Sequence, residues 1–165
     1  MQPERAENHR WILSSRDETR RAAVAVAASA RRSLAILTPD LEPGIYDHND
    51  FLDVAKRLVL SKPWAKIRML VSDPGRAIRN GNKFVGVARR LNTYIEMRNA
   101  HRDYAGHREA FMIADDHGLV YRVDGSRWEG IADANDPIVT RRYLELFDTI
   151  WGMSETGGEF GRIQI

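Results

Sequence analysis

Cysteine is absent from the 165 residues. That excludes a disulfide framework, a thiolate nucleophile and a cysteine-ligated zinc ribbon. The length fits one domain, and a domain of this size buries roughly 70% of its unfolded surface, so its core needs no covalent staple. The lack of cysteine suits a reducing compartment, and the expected location is cytoplasmic. The opening Met1-Gln2-Pro3-Glu4-Arg5 is charged with no apolar stretch behind it, so no secretory signal is expected. The longest apolar-rich run, Ala22 to Ala30, is too short and too rich in alanine to span a bilayer, and no membrane insertion is expected. A strong charge of one sign is missing too. The chain has 25 basic and 23 acidic residues, a net +2. Arginine outnumbers lysine, which suits bidentate contacts to oxyanions, but the basic excess of a dedicated nucleic-acid binder is not there. Neither Gly-x-x-x-x-Gly-Lys-Ser/Thr, nor Gly-x-Gly-x-x-Gly, nor His-Glu-x-x-His occurs. No cofactor and no metal is expected.

What is present reads as an alternating α/β chain. Residues 1–14 form a polar lead-in, with Trp11 and Ile12 tacked onto the body. Ser15-Arg16-Asp17-Glu18 is a capping box in which Ser15 caps and Glu18 reaches back. The helix behind it runs to about Arg32, with Ala23, Val26, Ala27 and Ala30 on one face and Arg31 and Arg32 at its negative end. Ser33–Thr38 is a buried strand stopped by Pro39. A helix over about 49–60 follows, then a second buried strand, Lys66–Ser72, broken by Asp73-Pro74-Gly75. Arg76 to Lys83 is a polar, glycine-containing loop. Phe84, Val87, Ala88 and Leu91 have the spacing of a third helix. Tyr94–Arg98 alternates as a third strand. Ala110–Ala114 and Leu119–Val123 flank Asp115-Asp116-His117-Gly118 as a hairpin. A loop spans Asp124 to Asn135, and Asp136-Pro137 starts a last helix ending near Trp151. Residues 15–153 form the domain and 154–165 an irregular tail. The order α-β-α-β-α-β-β-β-α implies right-handed crossovers, a parallel core and closing antiparallel strands.

Ligands of such folds sit at the carboxyl ends of parallel strands. That selects Asp40 and Glu42 after the first strand and Asp73 after the second. The loop before the last helix offers Arg127, Trp128 and Glu129 as a binding loop. Arg76, Arg79 and Lys83 beside Gly75 and Gly81 could cradle phosphate, but without a phosphate-loop motif they read as a solvated loop. His101, Asp103, His107, Glu109, Asp115, Asp116 and His117 are metal-capable, yet they lie on a loop, a strand start and a turn without a compact ligand spacing, so they read as connection and turn chemistry.

The segments His107-Arg108-Glu109-Ala110-Phe111-Met112-Ile113-Ala114-Asp115, Gly118-Leu119-Val120-Tyr121, Gly125-Ser126 and Asp136-Pro137 through Phe147-Asp148-Thr149-Ile150-Trp151 carry a resemblance. Over about residues 16–153 the chain is similar to one half of a phospholipase D-superfamily domain. The resemblance implies a three-layer α/β half with a mixed sheet, a parallel core, a C-terminal antiparallel hairpin and helices on both faces. It also implies the motif His-x-Lys-x4-Asp followed by Gly-Ser. In that chemistry a His attacks phosphorus and a His of a second half protonates the leaving group. The Lys neutralises the phosphoryl oxygens, and the Asp orients its His. Here Glu109 stands where the Lys belongs, Asp115 comes one residue late, and only one motif is present. A carboxylate beside a phosphodiester inverts the local electrostatics. The chain also resembles a bacterial family in which this fold occurs alone or joined to a GNAT-type acetyltransferase domain. Asp40-Leu41-Glu42-Pro43, Tyr46-Asp47, Val71-Ser72-Asp73-Pro74, Arg108-Glu109-Ala110-Phe111, Asp115 through Arg122 and Trp128-Glu129-Gly130 carry that likeness, which implies the fold and a bacterial source but no activity.

The broken motif predicts a noncatalytic phospholipase D-like module that binds a protein partner or a phosphorylated ligand, in a relic pocket holding His107, Glu109, Arg98 and Tyr121. One alternative is a divergent phosphodiesterase using His107, with Arg108 or Arg98 in place of the Lys and Asp115 as the motif's acid. Another is an accessory or dimerisation domain for a GNAT-type acetyltransferase. A homodimer is expected, because two halves face each other in this fold.

Overall fold

A computed structural model describes residues 10–104 and 106–154. The chain runs β1 (Arg10–Leu13), α1 (Arg16–Ala28), β2 (Ser33–Thr38), α2 (Asn49–Ser61), β3 (Lys66–Val71), α3 (Pro74–Arg79), α4 (Lys83–Arg90) and β4 (Ile95–Asn99). A 3-10 turn, Arg102–Tyr104, leads to the hairpin β5 (Ala110–Ala114) and β6 (Gly118–Arg122), then β7 (Gly130–Asp133) and α5 (Pro137–Met153). The strands form one sheet in the order β1-β7-β6-β5-β2-β3-β4. β2, β3 and β4 are parallel, and every other pairing is antiparallel. The sheet is therefore mixed with a parallel portion, as expected.

Alternation along the strands sorts side chains between two layers. Leu34, Ile36, Ile67, Met69, Ile95, Met97, Met112 and Val120 join Val26, Phe51 and Phe84 in one core. Ala35, Leu37, Leu70, Phe111, Ile113 and Leu119 meet Phe147 and Ile150 of α5 in the other. Phe51, Phe84, Phe111 and Phe147 are fully buried, each contributing about 1.5–3 kcal/mol relative to exposure. Against the second core, Arg68 lies 4.9 Å over the Phe147 ring and Arg98 4.1 Å over the Trp151 ring. These guanidiniums seat the end of α5 on β3 and β4. Among the described residues no helix is long and apolar enough to cross a membrane.

The structure corrects the sequence reading at several points. The lead-in contains β1, which pairs with β7 in register Arg10↔Asp133 to Leu13↔Gly130. β7 lies inside the stretch expected to be a loop. Both strands have four residues, too few to show a period, and they pair with each other across more than a hundred residues. Gly130 is needed there, because a Cβ would meet the Tyr121 carbonyl oxygen at 2.4 Å. The polar stretch after β3 folds as α3, capped by Asp73, whose Oδ1 accepts from the Arg76 amide at 3.1 Å. Ser15 caps α1 as expected, but Glu18 reaches Ser14 instead, accepting from its amide at 2.8 Å. α1 stops at Ala28, so Arg31 and Arg32 lie beyond its end. Residues 1–9 of the lead-in and 155–165 of the expected tail lie outside the described residues.

Asp115 explains that early stop. In the β5–β6 turn it adopts φ 55. Its carboxylate accepts from the amides of Arg31 at 3.0 Å, Arg32 at 2.8 Å and Ser33 at 3.0 Å, tying the hairpin to the start of β2. Replacing Asp115 with Ala leaves three amides to water and forces Ala into a left-handed conformation. Asp115→Ala is expected to cost about 1–3 kcal/mol in urea unfolding. Asp115→Asn, which keeps an acceptor and tolerates that φ, is expected to cost less.

Candidate functional site

Topology brings four separate segments to one edge of the sheet. β2 and β3 are parallel, so the residues leaving each share an edge. β5 runs antiparallel to β2, with Phe111 opposite Leu37, so the chain entering β5 arrives there too. β6 runs antiparallel to β5, with Arg122 opposite Ala110, so the chain leaving β6 completes the rim. Between them lies a cleft of about 510 Å³. Pro39, Asp40, Glu42 and Pro43 line it from the first segment and Ser72 and Arg76 from the second. His107, Arg108 and Glu109 come from the third, Asp124 to Ser126 and Trp128 from the fourth, and Arg16 from the start of α1.

The floor is a buried ion pair. Glu42 and Arg122 are 4% and 3% exposed, and the Arg122 guanidinium contacts the Glu42 carboxylate. The other Glu42 oxygen accepts from the Thr38 hydroxyl, which in turn accepts from the Leu41 amide at 3.0 Å. Leu41 has φ 59 and is fully buried, a costly conformation for a leucine. Its carbonyl accepts from Asn82 Nδ2 at 2.9 Å, while Asn82 Oδ1 caps α4. The loop that presents Asp40 and Glu42 is thus clamped at both of Leu41's backbone groups. Arg122 Nη1 donates to the carbonyls of Gly125 at 3.1 Å and Arg127 at 2.9 Å, and its guanidinium lies 4.8 Å from the centre of the Trp128 ring. Burial lowers the Arg122 pKa to about 10, against the pull of Asp40 and Asp124, so it stays cationic at neutral pH.

His107 and Glu109 lie side by side. His107 Nε2 is 2.6 Å from Glu109 Oε1, at ion-pair range without hydrogen-bond alignment, and Nε2 is buried. The other Glu109 oxygen accepts from the Tyr121 hydroxyl. Burial first, then the bonds to Glu109 and Tyr143, push the Tyr121 pKa up, so its phenol remains a donor. The Tyr121 ring rests 4.7 Å from that of Tyr143 on α5. Glu109 is therefore held between a histidine and a tyrosine.

Those arginines form the rim. Arg76 Nε is 3.3 Å from Asp40 Oδ2, and Arg108 Nη1 is 3.7 Å from Asp124 Oδ2. Arg16 has no carboxylate partner among the described residues. Hydrogen bonds from Ser126 keep the Asp124 carboxyl below its usual range. Burial raises that of Asp40, Arg76 opposing and Asp73 reinforcing the shift.

The expected site residues divide. Asp40, Glu42, His107, Glu109 and Trp128 line the cleft, and Tyr121 supports it through Glu109. Asp73 is a cap beside it. Arg127 is exposed, with Nε 3.4 Å from Glu129, and only its carbonyl serves the floor. Arg98 is not in the cleft. Alternation puts it on the α5 face, where it bonds Glu96 at 2.8 Å and the Trp151 carbonyl at 2.8 Å. Asp115 lies past the far end of the five-residue β5, which by strand rise is about 16 Å long, and cannot orient His107. Among the described residues no three potential metal ligands converge; His101 and Asp103 bond each other, and Asp116 pairs with Arg141. Sequence reasoning missed Arg16, whose role depends on a seat made by Gly44, and Arg122. Arg122 had a signal: alternation puts it on the same buried face as Val120.

The family model described as "Domain of unknown function (DUF7931)" matches residues 15–163. No curated protein matches the sequence. Among solved structures, the chain is similar to Nuc from Salmonella typhimurium, a phospholipase D family member. The TM-score is 0.63 at 15% identity, over 90% of this chain and 97% of that one. NucT from Helicobacter pylori gives TM-score 0.63 at 14% identity, over 90% and 97% of the two chains. TrmBL2, an archaeal chromatin protein with a novel mode of DNA binding, gives 0.65 at 12% identity over 90% of this chain. This chain matches only 54% of that protein's length. These likenesses establish a phospholipase D-like fold.

Asp40 makes the cleft's burial measurable. Its folded pKa is raised above the ordinary 3.8, so the folded chain holds this proton more tightly than the unfolded chain does. The stability it contributes is present at low pH and lost as pH rises through the folded value. Asp40→Asn cannot ionise. Its urea midpoint relative to wild type is expected to rise between about pH 4 and pH 7 and to level off at lower pH.

Proposed function

We propose, starting from the fact that this chain belongs to the DUF7931 family, that it is a noncatalytic phospholipase D-like module whose cleft binds a phosphorylated ligand. The observation that carries the reading is the burial of His107 Nε2 against Glu109 at 2.6 Å. A nucleophilic nitrogen needs an open line to phosphorus. This one faces a carboxylate held in place by Tyr121. The same carboxylate stands where a cation would have to neutralise the phosphoryl oxygens. A divergent phosphodiesterase would need an arginine beside His107. Arg98 is committed to α5, and Arg108, 82% exposed in its side chain, leans to Asp124.

Binding is a different matter. Arg16, Arg76 and Arg108 line the mouth, and the acids below them are engaged: Glu42 by Arg122, Asp40 by Arg76, Asp124 by Arg108 and Glu109 by His107. An incoming phosphate meets guanidiniums at the rim, and guanidinium forks match phosphate oxygens.

Two measurements test the reading. Titration calorimetry with glycerol 3-phosphate is expected to show saturable binding, weakened about 5-fold or more by Arg16→Ala or Arg108→Ala. Bis-p-nitrophenyl phosphate, with EDTA or with added divalent metals, is expected to be turned over no faster by wild type than by His107→Ala. Turnover lost only in His107→Ala would overturn the noncatalytic reading.

A further inference from the structure

We infer that the ligand of this cleft carries a planar aromatic base beside its phosphate, a nucleoside monophosphate, with Trp128 as the stacking surface and Arg16 as the phosphate's anchor. The inference rests on the cleft reading above and adds the non-phosphate half of the ligand.

The cleft joins two chemistries. Arg16, Arg76 and Arg108 supply guanidiniums, the latter two paired with Asp40 and Asp124, while Pro39, Pro43 and Trp128 supply an apolar wall. A glycerol phosphate or inorganic phosphate would use the first and leave the second wet. A nucleotide uses both. The cleft's 510 Å³ falls in the range of roughly 300–1,000 Å³ typical of small-ligand sites. A net charge of +2 over the whole chain gives little field for a polyanion, which favours a single nucleotide over a polymer.

Trp128 is held ready for stacking. Arg122 occupies one side of its indole at 4.8 Å. The same guanidinium holds the carbonyls of Gly125 and Arg127, so the backbone leading into Trp128 is fixed from beneath. Arg122 is in turn locked by Glu42. The indole is half-buried, packs in part against the core and lines the cleft. A rigid aromatic wall loses little entropy when a base stacks on it.

Arg16 is held ready for the phosphate. It projects past Gly44, where a Cβ would lie 3.0 Å from its Cδ and its Nε. Gly44 has φ +90, so the turn and the seat both require glycine. With no carboxylate partner among the described residues, Arg16 can take an anion without first breaking an ion pair.

The test is titration calorimetry of the full chain with adenosine 5′-monophosphate, glycerol 3-phosphate and inorganic phosphate. Adenosine monophosphate is expected to bind about 10-fold or more tightly than glycerol 3-phosphate. Trp128→Ala is expected to erase that preference and Trp128→Phe to keep most of it. Arg16→Ala is expected to weaken all three ligands alike. Equal affinity of wild type for the two esters overturns the nucleotide inference and leaves the phosphate cleft standing. So does a preference that survives in folded Trp128→Ala. If none of the three binds, both readings fall. Should Trp128→Ala not fold, the wild-type comparison and Trp128→Phe decide.

Discussion

The Glu42–Arg122 pair is the contact on which the cleft depends. Desolvating two charges is expensive, and removing one partner of such a pair costs about 3–5 kcal/mol because the other is stranded. Here neither charge is left with a lone contact. Thr38 takes one Glu42 oxygen, and Arg122 directs Nη1 to the carbonyls of Gly125 and Arg127 and lays its face on Trp128. One ion pair therefore joins the loop leaving β2 to the loop leaving β6, across the intervening β5. The strained Leu41 and the buried amide of Asn82 extend the same bracing to the start of α4.

On that floor, one residue type decides what the cleft can do. A lysine at position 109 would face the same direction as Glu109 and leave His107 without an ionic partner. A glutamate there pairs with His107 and accepts from Tyr121. Of the rim arginines, Arg76 and Arg108 pair with Asp40 and Asp124, and Arg16 has no carboxylate partner among the described residues.

Much of the fold was legible because its signals are local. β2 and β5 are largely apolar runs, β3 ends in one, α4 has helical spacing, and Ser15 and Asp136 announce their helices. β1 and β7 were not legible, since four residues carry no period and their pairing with each other is non-local. The cleft was half legible. Asp40 and Glu42 followed from the strand-end rule, His107 and Glu109 from the motif, and Trp128 from the aromatic and charged content of its loop. Arg98 was misplaced because residue type cannot say which face of a sheet looks into a site. Arg16 was hidden because its seat is made by Gly44, 28 positions along the chain.

The carboxylate of Asp115 has a wider consequence. It closes the hairpin and receives three amides from the start of β2, at the edge of the sheet remote from His107. A short motif spanning one strand thus contains two unrelated obligations, one to a reaction at its head and one to folding at its tail. Loss of the first would leave the second in force. A pattern search that scores both ends together therefore reports, in part, how the chain is tied down, and a surviving acid at the tail is no testimony that the head still does chemistry.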